Sequence, residues 1–109
     1  MRRLTKADVS EIVEHTMERI VELRAAKSVE YAEEDDGLST VRSVAKRTGQ
    51  RMSMVILTFM SKHLDAVEVH VRKNDKARQL TEPIEGRIED AILYLCLLKA
   101  TLIEERDDE

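Results

Sequence analysis

Val9, Ile12, Val13, Met17, Ile20 and Val21 recur three and four residues apart, the spacing of one helix face, and predict a helix from about Thr5 to Lys27. Glu11, Glu14, Glu18, Glu22 and Arg24 take its outward positions. Thr5-Lys6-Ala7-Asp8 at its head reads as a capping box with Asp in place of Glu. Residues 30–37 then break the pattern. Glu30, Glu33, Glu34, Asp35 and Asp36 crowd like charges that resist helix formation, and Gly37 ends the run, so a loop is expected. Ser39 is placed to cap a short helix that stops at Gly49, with Val41, Val44 and Ala45 inward and Arg42, Lys46 and Arg47 on a basic side.

Ser53 is placed to cap a long helix to about Arg72, striped by Val55, Ile56, Phe59, Met60, Leu64 and Val67. A polar, basic linker over 73–81 follows. The last helix is expected from about Thr81 to Glu105, with Pro83 in its first turn, where a missing N–H costs little. Its centre, Ala91 to Leu98, is apolar on every side, and a helix apolar all round is one buried all round. A domain this small rarely covers every face, so part of this helix is expected to meet another subunit. The pattern predicts an all-α fold: a bundle of three long helices and one short one, oligomeric, forming a single domain over residues 1–109 with an acidic tail at 104–109.

Composition sharpens that picture. A chain of 109 residues has room for one domain. Tyr31, Phe59 and Tyr94 are its only aromatics besides histidine, so the core must be aliphatic. A charged fraction of 37% fits helices with long charged outer faces. The net charge of -4 argues against a general nucleic-acid binder. Residues 39–60 match a helix-turn-helix in part, through Val44, Ala45, Gly49 and Val55, but the second helix is apolar where a recognition helix needs polar side chains for base edges. DNA is therefore not the expected partner. Cys96 is the only cysteine, which suits a reducing compartment. Charged residues at the N-terminus give no signal-peptide core, and no run approaches the ~20 apolar residues of a membrane span, so a cytoplasmic protein is expected.

Three groups could carry chemistry. Glu30 and Glu33 form an ExxE pair of the kind that holds Mg²⁺, or else belong to a solvated loop. Near a phosphate, Lys62 would give a point charge and His63 could donate or transfer a proton. The alternative for His63 is a seat at a helix–helix seam. Asp90 opens the apolar run and is expected to point inward, whereas Glu85 and Glu89 have the plainer role of complementing the helix dipole. His63 and His70 stand two turns apart, roughly 10 Å of rise, too far to share one metal ion.

Lys27, Glu30-Tyr31, Asp35-Asp36, Lys62-His63, Asp90, Tyr94 and Leu97-Leu98 together resemble a pattern in small phage-encoded helical proteins. The pattern is similar to the nucleotide-modification-associated domain and, more remotely, to the MazG-like all-α nucleotide pyrophosphatases, over about residues 10–105. The resemblance implies a phage-type accessory protein that binds a nucleotide-like, phosphate-bearing ligand, in nucleotide metabolism or counter-defence within an infected host cell. Lys27, Lys62 and His63 would meet the phosphate, Tyr31 would stack on a base, and Asp90 would orient Lys62 or take a metal. The pyrophosphatases hold Mg²⁺ with an ExxE and a later ExxD. Glu30 and Glu33 supply the first, while Glu85 and Asp90, five apart, depart from the second. An Mg²⁺-dependent nucleotide pyrophosphohydrolase with Glu30, Glu33 and Asp90 as metal ligands is thus an alternative. A third reading is an acidic protein that inhibits a host system through its loop and tail.

Overall fold

The computed structural model describes residues 2–31, 36–73 and 83–107, leaving aside the side chains of 27–31. Among these residues it has four helices: α1 (Lys6–Tyr31), α2 (Ser39–Thr48), α3 (Met52–Lys73) and α4 (Ile84–Asp107). The all-α architecture of three long helices and one short one is as the hydrophobic pattern predicts.

The capping box at the head of α1 forms reciprocally. The Thr5 amide donates to Asp8 Oδ2 at 2.9 Å, and the Asp8 amide donates to Thr5 Oγ1 at 3.1 Å. Asp therefore does the work of Glu here, closing two of the amides that a helix start leaves without partners. At the end of α2, Gly49 stops the helix in the left-handed region at φ 69°, and its N–H donates to the Ala45 carbonyl. Other boundaries differ from the expectation. α1 continues to Tyr31, so Glu30 lies on the helix rather than in the loop. Glu33 falls outside the described residues. Ser39 is the first residue of α2, and Leu38 takes the N-cap position. The turn before α2 is organised instead by Asp36, whose Oδ1 accepts the Leu38 amide at 3.0 Å. Ser53 lies inside α3, buried, with its amide directed at Glu105 Oε1 3.4 Å away. Pro83 stands immediately before α4, and its carbonyl accepts the Gly86 amide at 3.0 Å.

α3 and α4 form the main pairing and run antiparallel. Ser53 meets Glu105 at one end, and His63 meets Asp90 further along. α2 packs on α3. The densest core lies where these three helices converge: Val41, Val55 and Ile56, enclosed by Phe59, Tyr94, Leu97 and others. Ile56 is fully buried. α1 packs on α4 in the same direction, for Arg19 bridges Glu89 at 3.7 Å while Ile20, Val21 and Arg24 lie along Leu93 to Ala100.

That register has a consequence for α1. Arg19 reaches α4 near its start, so α1 residues before about 14 run beyond the first turn of α4. Val9, Ile12 and Val13, expected to be inward, are about half exposed, and Ile20 is the one buried residue among the described side chains of α1. The pattern identified the helix, but among the described residues too little stands opposite the first part of α1 to bury its stripe.

Arg42 ties the start of α2 to the end of α4. Its guanidinium donates to both carboxyl oxygens of Asp36, at 2.9 and 3.2 Å, and to both of Glu104, at 2.7 and 3.2 Å. The Arg42 hydrogen bonds, and for Asp36 also the Leu38 amide, hold both carboxyls below the usual carboxylate range. Arg42 is correspondingly more firmly protonated. Asp36 from the acidic loop and Glu104 from the tail are thus engaged within the fold, and Arg42 belongs to a clamp rather than to a free basic side.

Candidate functional site

The α3 positions that face α4 include Phe59, Met60 and His63, three and four residues apart, so His63 follows the core stripe inward. On α4, Arg87, Asp90 and Tyr94 recur at the same spacing and look back at α3. The result is a polar cluster at the seam. The His63 side chain is 7% exposed and that of Asp90 14%. His63 Nδ1 lies 3.8 Å from Asp90 Oδ2 and 3.4 Å from Arg87 Nη1. The imidazole stacks on Tyr94 with ring centroids 5.6 Å apart, and Tyr94 in turn meets Phe59 at 6.1 Å in a tilted arrangement. Such aromatic pairs hold ring planes in place beyond what area burial alone would do.

The two neighbours of Nδ1 make opposite demands. Arginine only donates, so a hydrogen bond from Arg87 requires Nδ1 to carry a lone pair, as in neutral histidine protonated at Nε2. Carboxylate only accepts, so a bond to Asp90 requires a proton on Nδ1. One nitrogen can satisfy either neighbour, and the ring's protonation decides which. The cluster therefore offers a cationic fork, a titratable ring and a carboxylate within one helix turn of each other.

The expected site residues divide. His63 and Asp90 are brought together, and Asp90 points inward as its position at the head of the apolar run suggested. Lys62 is exposed, turned about 100° from His63 around α3. Its place in an apolar stretch is explained by solvent on that side, with no partner required. The side chains of Lys27, Glu30 and Tyr31, and the whole of Glu33, lie outside the described residues. The backbone of α1 continues through Lys27 to Tyr31, eight and twelve residues beyond Arg19, which pairs with Glu89, so it passes Asp90 by on the order of 10 Å or more along α4. Asp90 Oδ2 has the His63 ring as its near neighbour. Among the described residues no three His, Cys, Asp or Glu side chains gather as a metal-holding group.

Arg87 is the member that the sequence reading missed. The signal was present, because Arg87 lies three residues before Asp90 and seven before Tyr94, on their face of the helix. Glu89, read as a dipole partner, bridges Arg19. Among the described residues no helix is long and apolar enough to cross a membrane. No family model, no curated protein and no solved structure matches the chain.

Proposed function

We propose that the chain is a binding protein that takes a nucleotide-like, phosphate-bearing ligand at the α3–α4 seam, as an accessory factor in nucleotide metabolism or counter-defence. One observation carries this reading: the Arg87 guanidinium lies beside the buried His63 and its stacked Tyr94, offering forked donors for a phosphate next to a held ring. In this reading Arg87 takes over the phosphate role first given to Lys62. Asp90 keeps His63 and Arg87 oriented, and Lys27 and Tyr31 act from the end of α1 only on an extended ligand.

The test is a thermal-shift panel of nucleotides with and without Mg²⁺, since a ligand of the native state raises apparent stability. A nucleotide should stabilise the wild type, and Arg87→Met should lose that response while staying folded. Loss of a charge-assisted hydrogen bond corresponds to roughly one to two decades of affinity. Turnover in Mg²⁺ would replace this reading with a pyrophosphohydrolase that uses Glu30, Glu33 and Asp90. No response to any nucleotide would remove both.

A second reading has its own support. Among the described residues fourteen large hydrophobics are exposed, among them Val21 at 70%, Leu95 at 52% and Leu102 at 51%. Surface of this kind marks protein contacts. We infer a homo-oligomer with its contact through α4. A host-protein partner met through the acidic loop and tail is the competing reading.

A further inference from the structure

We propose that two copies join by laying the α1–α4 face of one antiparallel on the same face of the other, with acidic ends against basic ends. The proposal rests on the homo-oligomer reading and specifies its surface, direction and pairing.

Between α1 and α4 lies an open apolar groove of about 400 Å³, bordered by Val21 and Arg24 from α1 and by Cys96 and Leu93 from α4. Each helix carries an ordered row beside it. On α1 the row is Glu14, Met17, Val21 and Arg24, spaced three, four and three residues apart. On α4 it is Glu85, Ile88, Ile92, Leu95, Lys99 and Leu102, in the same alternation. Ile92 and Lys99 sit one turn to either side of Cys96, which places this row on the groove side of α4. Alternating threes and fours form the seam of a helix–helix contact. Met17 is 47% exposed, Val21 70%, Ile88 42% and Leu95 52%.

Charge chooses the occupant and its direction. Both rows begin with a carboxylate and carry a base toward their C-terminal end. Glu14, Glu85 and Lys99 take no ion partner among the described residues. Two copies packed in parallel would set Glu85 near the Glu85 of the other copy. A twofold axis lying across both helices sets Glu85 against Lys99 and Glu14 against Arg24. The midpoint of the first pair is Ile92 and that of the second is Arg19. Arg19 bridges Glu89, less than one turn from Ile92, so the two midpoints lie at nearly one height. A single axis therefore serves both rows.

The area is of the right order as well. The α4 row runs about 26 Å and two helices are about 20 Å across, a flat footprint of about 500 Å². Interdigitating side chains bring the accessible area toward the ~800 Å² per partner of a stable interface.

The experiment is light scattering with sedimentation on the full chain at tens of micromolar, with circular dichroism on every variant. The wild type should be a dimer. Lys99→Glu should weaken it about tenfold, because it places like charges opposite one another twice per dimer. Glu85→Lys added to Lys99→Glu should restore it. Ile92→Cys in a Cys96→Ser background should form an interchain disulfide, since residue 92 meets itself across the axis. A monomeric wild type would overturn the homo-oligomer reading and this one together. A dimer that ignores the charge reversal, fails to recover with the double exchange, or gives no cross-link would overturn this interface alone.

Discussion

Toward α3, α4 presents Asp90, Tyr94 and Thr101, and each meets a partner: His63, the Phe59 and His63 rings, and for Thr101 Oγ1 the Leu98 carbonyl at 2.9 Å. Among the described residues no buried side-chain polar atom lacks a hydrogen-bond partner. Toward α1, the same helix presents Leu93, Cys96 and Leu97 to an open groove, and beyond them a row that keeps Ile88, Leu95 and Leu102 in contact with solvent. One face is completed by the chain itself, and the other stays open to solvent. The difference arises from the neighbours. α3 lies along α4 over most of its length, whereas α1 is offset and makes the lighter contact.

The largest effect should follow from disturbing the completed face. Ile56→Ala empties a fully buried site and should cost about 3 kcal/mol in chemical denaturation, from lost transfer energy and the cavity left behind. Val21→Ala, on the open face, should change the stability of the dissociated chain by no more than about 0.5 kcal/mol. An equal cost for both would erase the distinction between the faces.

Next in size is Leu95→Glu. Its side chain is half exposed, so the variant should keep its helical circular dichroism. Buried between two copies, the unpaired carboxylate would be severely unfavourable, and the dissociation constant should rise on the order of a hundredfold. Collapse of the helical signal would instead mean that Leu95 supports the fold of the single chain.

The smallest effect concerns the clamp. Asp36 and Glu104 have lowered native values, chiefly through hydrogen bonds from Arg42. A lowered native pKa contributes stability above the unfolded carboxylate range, about pH 4, and that contribution is lost as pH falls through the native value. Carboxyl titration by NMR should place both midpoints below the ordinary values, and Arg42→Ala should return them. The effect on stability should be modest and should shrink in salt, because these side chains are one-third or more exposed. Midpoints unmoved by Arg42→Ala would show that the clamp does not hold in solution.

How far the site was legible follows from the range of each signal. His63 and Asp90 could be picked out singly, as a ring on a core stripe and a carboxylate opening an apolar run, because burial is written in local spacing. That they meet was not legible, since their encounter depends on the antiparallel register of α3 and α4. Arg87 was hidden for the same reason, as a cation at a helix head has many uses until its neighbour is known. Lys62 shows the converse: adjacency to His63 in sequence suggested a shared site, yet adjacent residues point about 100° apart on a helix.

Local chemistry decided the helices themselves. The 3.6-residue periodicity, the Thr5–Asp8 box and the Gly49 stop act within one or two turns and need no distant partner, so the sequence alone determined an all-α chain of three long helices and one short one. It also determined that α4 carries more apolar surface than a small domain covers. Which apolar stripe is buried was decided only by the tertiary structure. The stripes of α1 and α3 look alike along the chain, but α3 lies between α2 and α4 while the first third of α1 runs past the start of α4. Burial depends on what stands opposite a face, and the periodicity of one segment holds no information about that.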